Sequence, residues 1–383
     1  ISWEEVKKMV NQERLLQLFK EMVAISSPSG KEGAFCAYLT DYFKARGATC
    51  SEDQAGAMLE GDTGNLLVRI AGMADVKPLL FLTHMDTVFA GGDIQAELGE
   101  DGIIRSVGKT ILAADDKAGI AAILEAYEVI RENQLEHPPL ELLFTVSEEQ
   151  GLLGAKQFDY SCLQAEIAYA LDSGGSPGTI VVKSPCQNEI SYSVQGKAAH
   201  AGINPEDGIN AIQIMAKALA AMPCGRLNPT TTCNFGIIKG GEARNIVAEH
   251  CWVKGEARSH ARTQLEQLTG ELTGTFKEVV QKNGGEPEVV VKFLYPEISL
   301  DEDEKVVVLA QKAAQNLGLE VNLISTGGGS DAAIVNGNHI RCANLGTGMS
   351  SVHTSDEYIS LKDLVNDAAW VLAIIQQYWA DVS

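Results

Sequence analysis

Several short segments in the first half of the chain are mostly apolar and show no alternation between apolar and polar residues. They lie at residues 65–70, 79–83, 140–146 and 167–171. Runs of this kind are typical of strands that are covered by helices on both faces. Residues 117–131, between the second and third runs, instead repeat apolar side chains with helical spacing. The pattern predicts an α/β fold with a mostly parallel sheet sandwiched by helices.

The segment before these strands has a different pattern. Residues 1–23 mix charged and apolar side chains with the spacing of an amphipathic helix, which is unlike the apolar centre of a secretory signal. Residues 27–32 indicate a turn in which Ser29 caps a second helix and Glu32 completes a capping box. No apolar run approaches the roughly 18 residues that a membrane span requires.

The periodicity changes after residue 185. Residues 188–194 alternate between apolar and polar side chains, as in a half-exposed antiparallel strand. The segments that follow are a helix at 208–222, strands at 231–238 and 250–257, a helix at 263–283 and a strand at 288–294. This β-α-β-β-α-β order predicts a ferredoxin-like α+β insert over residues 186–296.

Helix and strand patterns resume after the insert. The predicted elements are a helix at 302–317, strands at 321–325 and 340–345, and a closing helix at 361–378. Residues 1–185 and 297–383 would therefore form one discontinuous domain, with the insert between its two parts.

Composition narrows the possible functions. The 383 residues are 45% hydrophobic, which is ample for sizeable cores. A formal net charge of −21 and a pI near 4.7 argue against a nucleic-acid partner and against an anionic membrane surface. The eight cysteines are scattered without a C-x-x-C pair, which favours reduced thiols and a cytoplasmic location.

Polar side chains with metal-binding or proton-transfer chemistry follow the buried strands directly. His84 follows the run at 79–83, Glu148 follows 140–146, and Asp172 follows 167–171. Ligands of parallel sheets bind beyond the carboxyl ends of the strands, so we expect these side chains to meet at one edge.

Each motif also has a simpler interpretation. Asp86 could hold the second ring nitrogen of His84, although a His-x-Asp pair is common by chance. Asp115 and Asp116 precede a helix, where one acid would serve as an N-cap, but a bridging carboxylate would explain the second.

The remaining candidate residues also have both a structural and a functional interpretation. Glu148 and Glu149 could be a solvated acidic loop, or one could bind metal while the other accepts a proton. Asp172 and the later His353 are weak signals when each is taken alone. An oxygen-rich set with imidazole suits a pair of divalent cations of the zinc type.

In their order along the chain these motifs resemble the dinuclear zinc peptidase family that includes peptidase T, acetylornithine deacetylase, succinyl-diaminopimelate desuccinylase and carboxypeptidase G. The likeness covers nearly the whole chain. It implies that Asp115 bridges two zinc ions, with His84 and Asp172 on one ion and Glu149 and His353 on the other. It further implies that Glu148 is the general base, that Asp86 orients His84, and that the Asp115–Asp116 peptide bond is cis.

The resemblance also gives the insert a role as a lid and dimerisation domain. His200 matches a lid histidine that reaches a neighbouring subunit's active site in a homodimer and stabilises an oxyanion. Asn245 and Arg258 match substrate-contacting positions, with Arg258 on a substrate carboxylate. Gly328 and Gly329 match a catalytic-domain loop that lines the substrate pocket.

Within the family the sequence is most similar to peptidase T and its relatives, through residues 114–119 and the strand that leads into Glu148. Ser147 stands where peptidase T typically has Pro-Asp. We therefore expect a metallopeptidase that cleaves small peptides as an aminopeptidase or tripeptidase.

Three alternatives remain. The nearest is an N-acyl amino acid deacylase of the same family, and the next is a non-catalytic binding protein on the same fold. A nucleotide-binding dehydrogenase would rest on residues 346–351, which lack the third glycine and a clear following helix.

Overall fold

The computed structural model describes residues 3–73, 75–89 and 93–383. They form two compact units. The larger unit comprises the described residues up to Lys183 together with Ser299–Ser325 and Ser330–Ser383, and the inserted unit comprises Ser184–Ile298 with Thr326–Gly329. The larger unit is centred on a mostly parallel sheet, as the hydrophobic pattern predicted.

The loop Thr326–Gly329 differs from the sequence-based division, which placed it in the catalytic domain. Its contacts explain the difference. Arg258 donates to the carbonyl of Gly327 at 2.9 Å, and His260 Nε2 lies 3.1 Å from the carbonyl oxygen of Thr326. The loop therefore belongs to the inserted unit.

Nine strands among the described residues form the main sheet of the larger unit. They are β1 (Thr49–Glu52), β2 (Leu66–Ile70), β3 (Leu79–His84), β6 (Leu140–Thr145), β7 (Ile167–Ser173), β8 (Thr179–Ser184), β14 (Ile298–Ser299), β15 (Asn322–Ser325) and β16 (Arg341–Gly346). Their order is β1-β2-β6-β3-β7-β16-β8-β14, with β15 beside β8. A smaller sheet contains β4 (Ala96–Leu98), β5 (Ile103–Ser106) and β17 (Tyr358–Ser360).

The three central strands carry the continuous apolar runs. β3 pairs in parallel with β6 on one side and with β7 on the other, and all residues of β3 and β6 are buried. β1 and β2 add antiparallel pairs at one side of the sheet, so the sheet is mixed. The carboxyl ends of β3, β6 and β7 consequently point the same way.

Helices bury the faces of this sheet. They are α1 (Trp3–Met9), α2 (Gln12–Ala24), α3 (Gly33–Lys44), α4 (Ala55–Leu59), α5 (Ala114–Asn133), α6 (Leu153–Gln157), α9 (Lys305–Asn316), α10 (Asp331–Gly337) and α11 (Leu361–Val382). α5 is buried from Ala114 to Ile130, which is why its sequence is apolar almost all round. α11 packs on α5 and α9, and its Trp370 donates to the carbonyl of Ala310 at 3.0 Å.

The amino-terminal prediction was partly wrong. The expected first helix is split into α1 and α2, and its first two residues lie outside the described residues. Ser29 does not cap α3, because its hydroxyl donates to Asp86 at 2.6 Å. Glu32 makes no capping box either, since its carboxylate accepts from Gly30 and from Ser147.

The inserted unit has its own sheet and core. Its elements are β9 (Cys186–Gln195), α7 (Ala211–Ala221), β10 (Gly225–Asn228), β11 (Thr231–Gly240), β12 (His250–Ser259), α8 (Arg262–Lys282) and β13 (Glu286–Tyr295). The strand order β10-β11-β12-β9-β13 gives the split βαβ pairing of a ferredoxin-like fold, with β10 added at one edge. Tyr192 stacks on Phe276 in its core, with ring centroids 4.4 Å apart.

No helix in the described ranges has the length and apolar character needed to traverse a lipid bilayer.

Candidate metal centre

Four predicted site residues lie where parallel strands end. His84 is the last residue of β3, Asp172 is near the end of β7, and Glu148 and Glu149 follow β6. The structure therefore brings these side chains to the carboxyl ends of neighbouring parallel strands.

The donor atoms converge in two groups that share one aspartate. His84 Nε2 lies 3.0 Å from Asp115 Oδ1 and 4.0 Å from Asp172 Oδ1. His353 Nε2 lies 3.1 Å from Asp115 Oδ2 and 2.9 Å from Glu149 Oε1. Within each group, the possible ligand atoms lie within 4.8 Å of one another. These are the same two sets, joined by Asp115, that the resemblance implied.

A third group joins Glu148 to His84 and Glu149. Glu148 thus lies within reach of both sets while belonging to neither of the two that share Asp115. Burial raises the pKa of its carboxyl well above the ordinary value. A carboxylate with a raised pKa is suited to accept a proton near neutral pH.

The electrostatics of the two groups favour a bound cation. Burial and the neighbouring Asp115 raise the pKa of Asp172 well above its ordinary range, and the same two causes raise that of Glu149 to about 7. The hydrogen bond to Asp115 and the charge of Glu149 raise the pKa of His353 to about 9, although burial opposes them. Several buried acids therefore share two imidazoles, and divalent cations would compensate their charge.

The environment of Glu149 Oε1 also favours a bound cation. It is buried and makes no hydrogen bond among the described residues, although it lies 2.9 Å from His353 Nε2, which also lies 3.1 Å from Asp115. An orphaned carboxylate oxygen beside an imidazole nitrogen fits a shared metal ligand set. The residues present thus fit a pair of divalent metal ions.

The backbone before the shared aspartate is fixed by a residue that the sequence argument missed. Glu357 accepts hydrogen bonds from the N–H groups of Leu112 at 2.7 Å, Ala113 at 2.9 Å and Asp115 at 3.2 Å. Ala113 has a left-handed φ of 62°, and the Asp115–Asp116 peptide bond is cis. Only its position four residues after His353 could have drawn attention to Glu357.

Asp86 has a different main contact from the one expected. His84 Nδ1 lies 2.9 Å from the backbone carbonyl oxygen of Asp86 and 3.4 Å from its carboxylate. The Asp86 carboxylate instead accepts the N–H groups of Glu148 at 2.9 Å and Glu149 at 3.2 Å. Asp86 therefore holds both the histidine and the acidic turn.

Two more buried groups near the centre were not singled out as functional. Asp331 accepts from the hydroxyl of Thr145 at 2.5 Å, and burial raises the pKa of Asp331 to about 6. Lys117 donates to the carbonyls of Met22 at 3.1 Å and Ile25 at 2.6 Å, anchoring the start of α5 to the end of α2.

The other predicted residues lie in the inserted unit. His200 is exposed, its Nδ1 accepts from the N–H of Gly202 at 3.1 Å, and the next residue, Ala201, donates to the carbonyl of Asn245 at 3.0 Å. His200 and Asn245 are thus brought together on adjacent segments.

Arg258 is engaged within its own unit. Its guanidinium donates to both Glu256 oxygens, at 2.9 and 3.1 Å, and to the carbonyl of Gly327. Gly328 donates to the hydroxyl of Thr326 at 3.3 Å, and a Cβ on Gly329 would lie 2.4 Å from the Tyr295 ring. Arg258 therefore joins Glu256 to the loop that contains both glycines.

Comparison with known proteins agrees with this geometry. The crystal structure of aminopeptidase PepT from Bacillus cereus is 39% identical, has a TM-score of 0.91, and is matched over 96% of this chain and 99% of that chain. A tripeptidase from Staphylococcus aureus is 40% identical with a TM-score of 0.92, over 96% and 98% of the two chains. The Bacillus subtilis protein "Uncharacterized protein YqjE" is 39% identical over 369 residues, which are 96% of this chain and 99% of that protein.

These similarities confirm the resemblance to peptidase T. The family pattern described as "Peptidase family M20/M25/M40" matches residues 80–377, a range that includes every predicted site residue. The chain belongs to peptidase family M20/M25/M40.

Proposed function

We propose that this protein is a two-metal aminopeptidase that hydrolyses an amide bond in small peptides. The observation that supports it best is the pair of donor sets sharing Asp115, with Glu148 beside both. The similar aminopeptidase PepT and tripeptidase support a peptide substrate.

His84 and Asp172 would hold one divalent cation, Glu149 and His353 would hold the other, and Asp115 would bridge them. Zinc suits these imidazole and carboxylate donors. When bound, such a pair lowers the pKa of a water molecule and polarises the substrate carbonyl.

The proton transfers are assigned to Glu148. Its carboxylate takes a proton from water as the water oxygen attacks the carbonyl carbon, and it returns that proton to the amine as the C–N bond breaks. Asp86 keeps the Glu148 backbone and the His84 ring in place during both transfers. His200 would stabilise the oxyanion, and Asn245, Arg258, Gly328 and Gly329 would bind the substrate.

Assembly follows the same resemblance. We propose a homodimer through the inserted unit, in which His200 of each subunit serves the active site of the other. Size-exclusion chromatography with light scattering tests the dimer, and mixing a His200→Ala variant with a Glu148→Gln variant tests the exchange of residues. Recovery of turnover in the mixture is the expected result, and two inactive partners that stay inactive contradict it.

The first experiment is Glu148→Gln with metal analysis. We expect two metal ions per chain to remain, as in the wild type, while turnover falls by about 10²-fold or more because the base is lost. Glu149→Gln is the matched variant, and it should lower metal content. Wild-type turnover in Glu148→Gln would remove Glu148 from the mechanism.

The second experiment concerns the substrate. We expect release of amino-terminal residues from di- and tripeptides to be faster than deacylation of N-acetyl amino acids. This comparison separates the proposed peptidase from the nearest alternative, a deacylase of the same family. Faster deacylation would replace the peptidase assignment, and no turnover of either class by metal-loaded protein would favour a binding protein.

A further inference from the structure

Two buried carboxylates hold the turn that presents Glu148. Three successive N–H groups of this turn point at them: Ser147 donates to Glu32 at 3.0 Å, and Glu148 and Glu149 donate to Asp86. Glu32 and Asp86 are both fully buried. The backbone of the turn is therefore fixed by charged acceptors, which form stronger hydrogen bonds than neutral ones.

Ser147 has an unusual backbone conformation. Its φ is 51°, in the left-handed region that disfavours residues with a side chain. The same Glu32 oxygen that accepts its N–H also lies 3.4 Å from its hydroxyl. Glu32 thus contacts the residue whose conformation sets the direction in which Glu148 leaves the strand.

Glu32 is itself fixed from its own side of the chain. Its Oε1 accepts the N–H of Gly30 at 3.0 Å, and α3 begins at the next residue. The preceding segment is tied to the residues after β3, since Thr87 donates to Ser27 at 2.9 Å and Ser29 donates to Thr87 at 3.2 Å. Glu32 can therefore act as a rigid acceptor.

The other oxygen of Glu32 has no structural explanation. Oε2 is buried without a hydrogen-bond partner among the described residues, and burial raises the pKa of this carboxyl. A buried acid of this kind costs stability, and such groups cluster at functional sites. Helix capping does not account for it, because Glu32 makes no side-chain cap to α3.

We propose that Glu32 is a positioning residue for catalysis, which acts by holding Ser147 in its left-handed conformation so that Glu148 and Glu149 face the metal centre. The inference rests on the proposed function of Glu148. The local sequence does not indicate this role, because Glu32 lies three residues after Ser29 and so has the spacing of a capping box.

The test uses the full chain with Glu32→Ala, Glu32→Gln and the double variant Glu32→Ala/Ser147→Gly. Glu141→Ala is the matched control. Glu141 is also buried and lies at the start of β6, at the opposite end of the strand from the metal centre. Its carboxylate accepts the N–H groups of Gln164 and Ala165. Steady-state kinetics, metal content and amide hydrogen exchange over residues 146–152 are measured for each variant.

Glu32→Ala should lower kcat about tenfold or more with a much smaller change in KM, because a displaced catalytic group slows the reaction without weakening binding. Glu32→Gln keeps an acceptor oxygen and should stay within about threefold of the wild-type kcat. Ser147→Gly should recover part of the loss in Glu32→Ala, because glycine adopts positive φ without a steric penalty. Exchange over residues 146–152 should be faster in Glu32→Ala and unchanged in Glu141→Ala.

Hydrogen exchange separates this proposal from the proposed function, because it can be measured on metal-free protein without substrate. Unchanged exchange over residues 146–152 in Glu32→Ala would overturn the positioning role whatever the activity. Faster exchange with wild-type kcat would overturn its catalytic consequence. Equal loss of kcat in Glu32→Ala and Glu141→Ala would reduce the effect to general destabilisation and also overturn it.

Discussion

Replacing Glu357 should loosen the metal centre although Glu357 is not a proposed ligand. Its carboxylate accepts three backbone N–H groups from the segment that ends at Asp115. It is buried, so in Glu357→Ala these donors lose their acceptor in a place with little access to water. Asp115 is the residue common to both donor sets, so its displacement should affect both metal ions together.

The size of the effect follows from the number of orphaned donors. Each buried donor left unsatisfied costs about 1–3 kcal/mol, so three would cost on the order of 3–9 kcal/mol if no water entered. That upper limit is comparable with the whole stability of a typical domain, about 5–15 kcal/mol. We therefore expect the free energy of unfolding to fall by about 3 kcal/mol or more in Glu357→Ala. Glu357→Gln keeps one acceptor oxygen and should lose less.

Urea unfolding of metal-free protein gives the stability change, and competition with a chromophoric chelator gives metal affinity. Glu125→Ala is the control. Glu125 lies on α5, away from the proposed ligands, and it is also a buried carboxylate that accepts a backbone N–H, that of Asn11 at 2.7 Å. Glu125→Ala should lose stability and retain metal affinity. The reasoning is refuted if Glu357→Ala binds both metal ions as tightly as the wild type, or if its unfolding midpoint is unchanged.

Three further outcomes are expected. Although burial opposes it, hydrogen bonds from Arg46 and Tyr42 lower the pKa of Glu128 below 4.5, so its stabilisation is complete above pH 4.5 and is lost as the pH falls through the lowered value. Urea midpoints measured between about pH 5 and pH 3 should therefore fall less steeply in Glu128→Gln than in the wild type, and parallel curves would contradict this. Gly329→Ala should raise KM for peptides and leave metal content unchanged, because the new Cβ would displace the Tyr295 ring in the proposed substrate loop. Unchanged kinetics would show that the loop does not contact substrate. Chelation should lower the thermal midpoint and abolish turnover, with zinc restoring both, whereas full activity of metal-free protein would refute the two-metal proposal.

The parts of the site that the sequence revealed are those encoded locally. β3, β6 and β7 could be predicted because strands buried on both faces need continuous apolar runs. The polar residues His84, at the end of β3, Asp172, near the end of β7, and Glu148, just after β6, mark where those runs stop. The ferredoxin-like order of elements in the inserted unit could also be predicted from the sequence pattern, apart from the short edge strand β10.

The parts that could not be predicted depend on contacts between distant residues. Glu32 and Ser147 are 115 positions apart, and Glu357 and Leu112 are 245 apart. Nothing local distinguishes such an acid from a capping or surface residue. The Glu32 prediction failed for that reason: the capping box is a local rule, and a tertiary contact took the carboxylate instead.

The placement of β16 between β7 and β8 has a consequence for biosynthesis. A ribosome makes both flanking strands, and then all of the inserted unit, before it reaches Arg341–Gly346. Until then a nascent polypeptide holds Asp115, Glu149 and Asp172 without His353, and its β7 and β8 lack the partner that lies between them. Translation products truncated before residue 353 should therefore be poor metal binders, however well their amino-terminal half has folded.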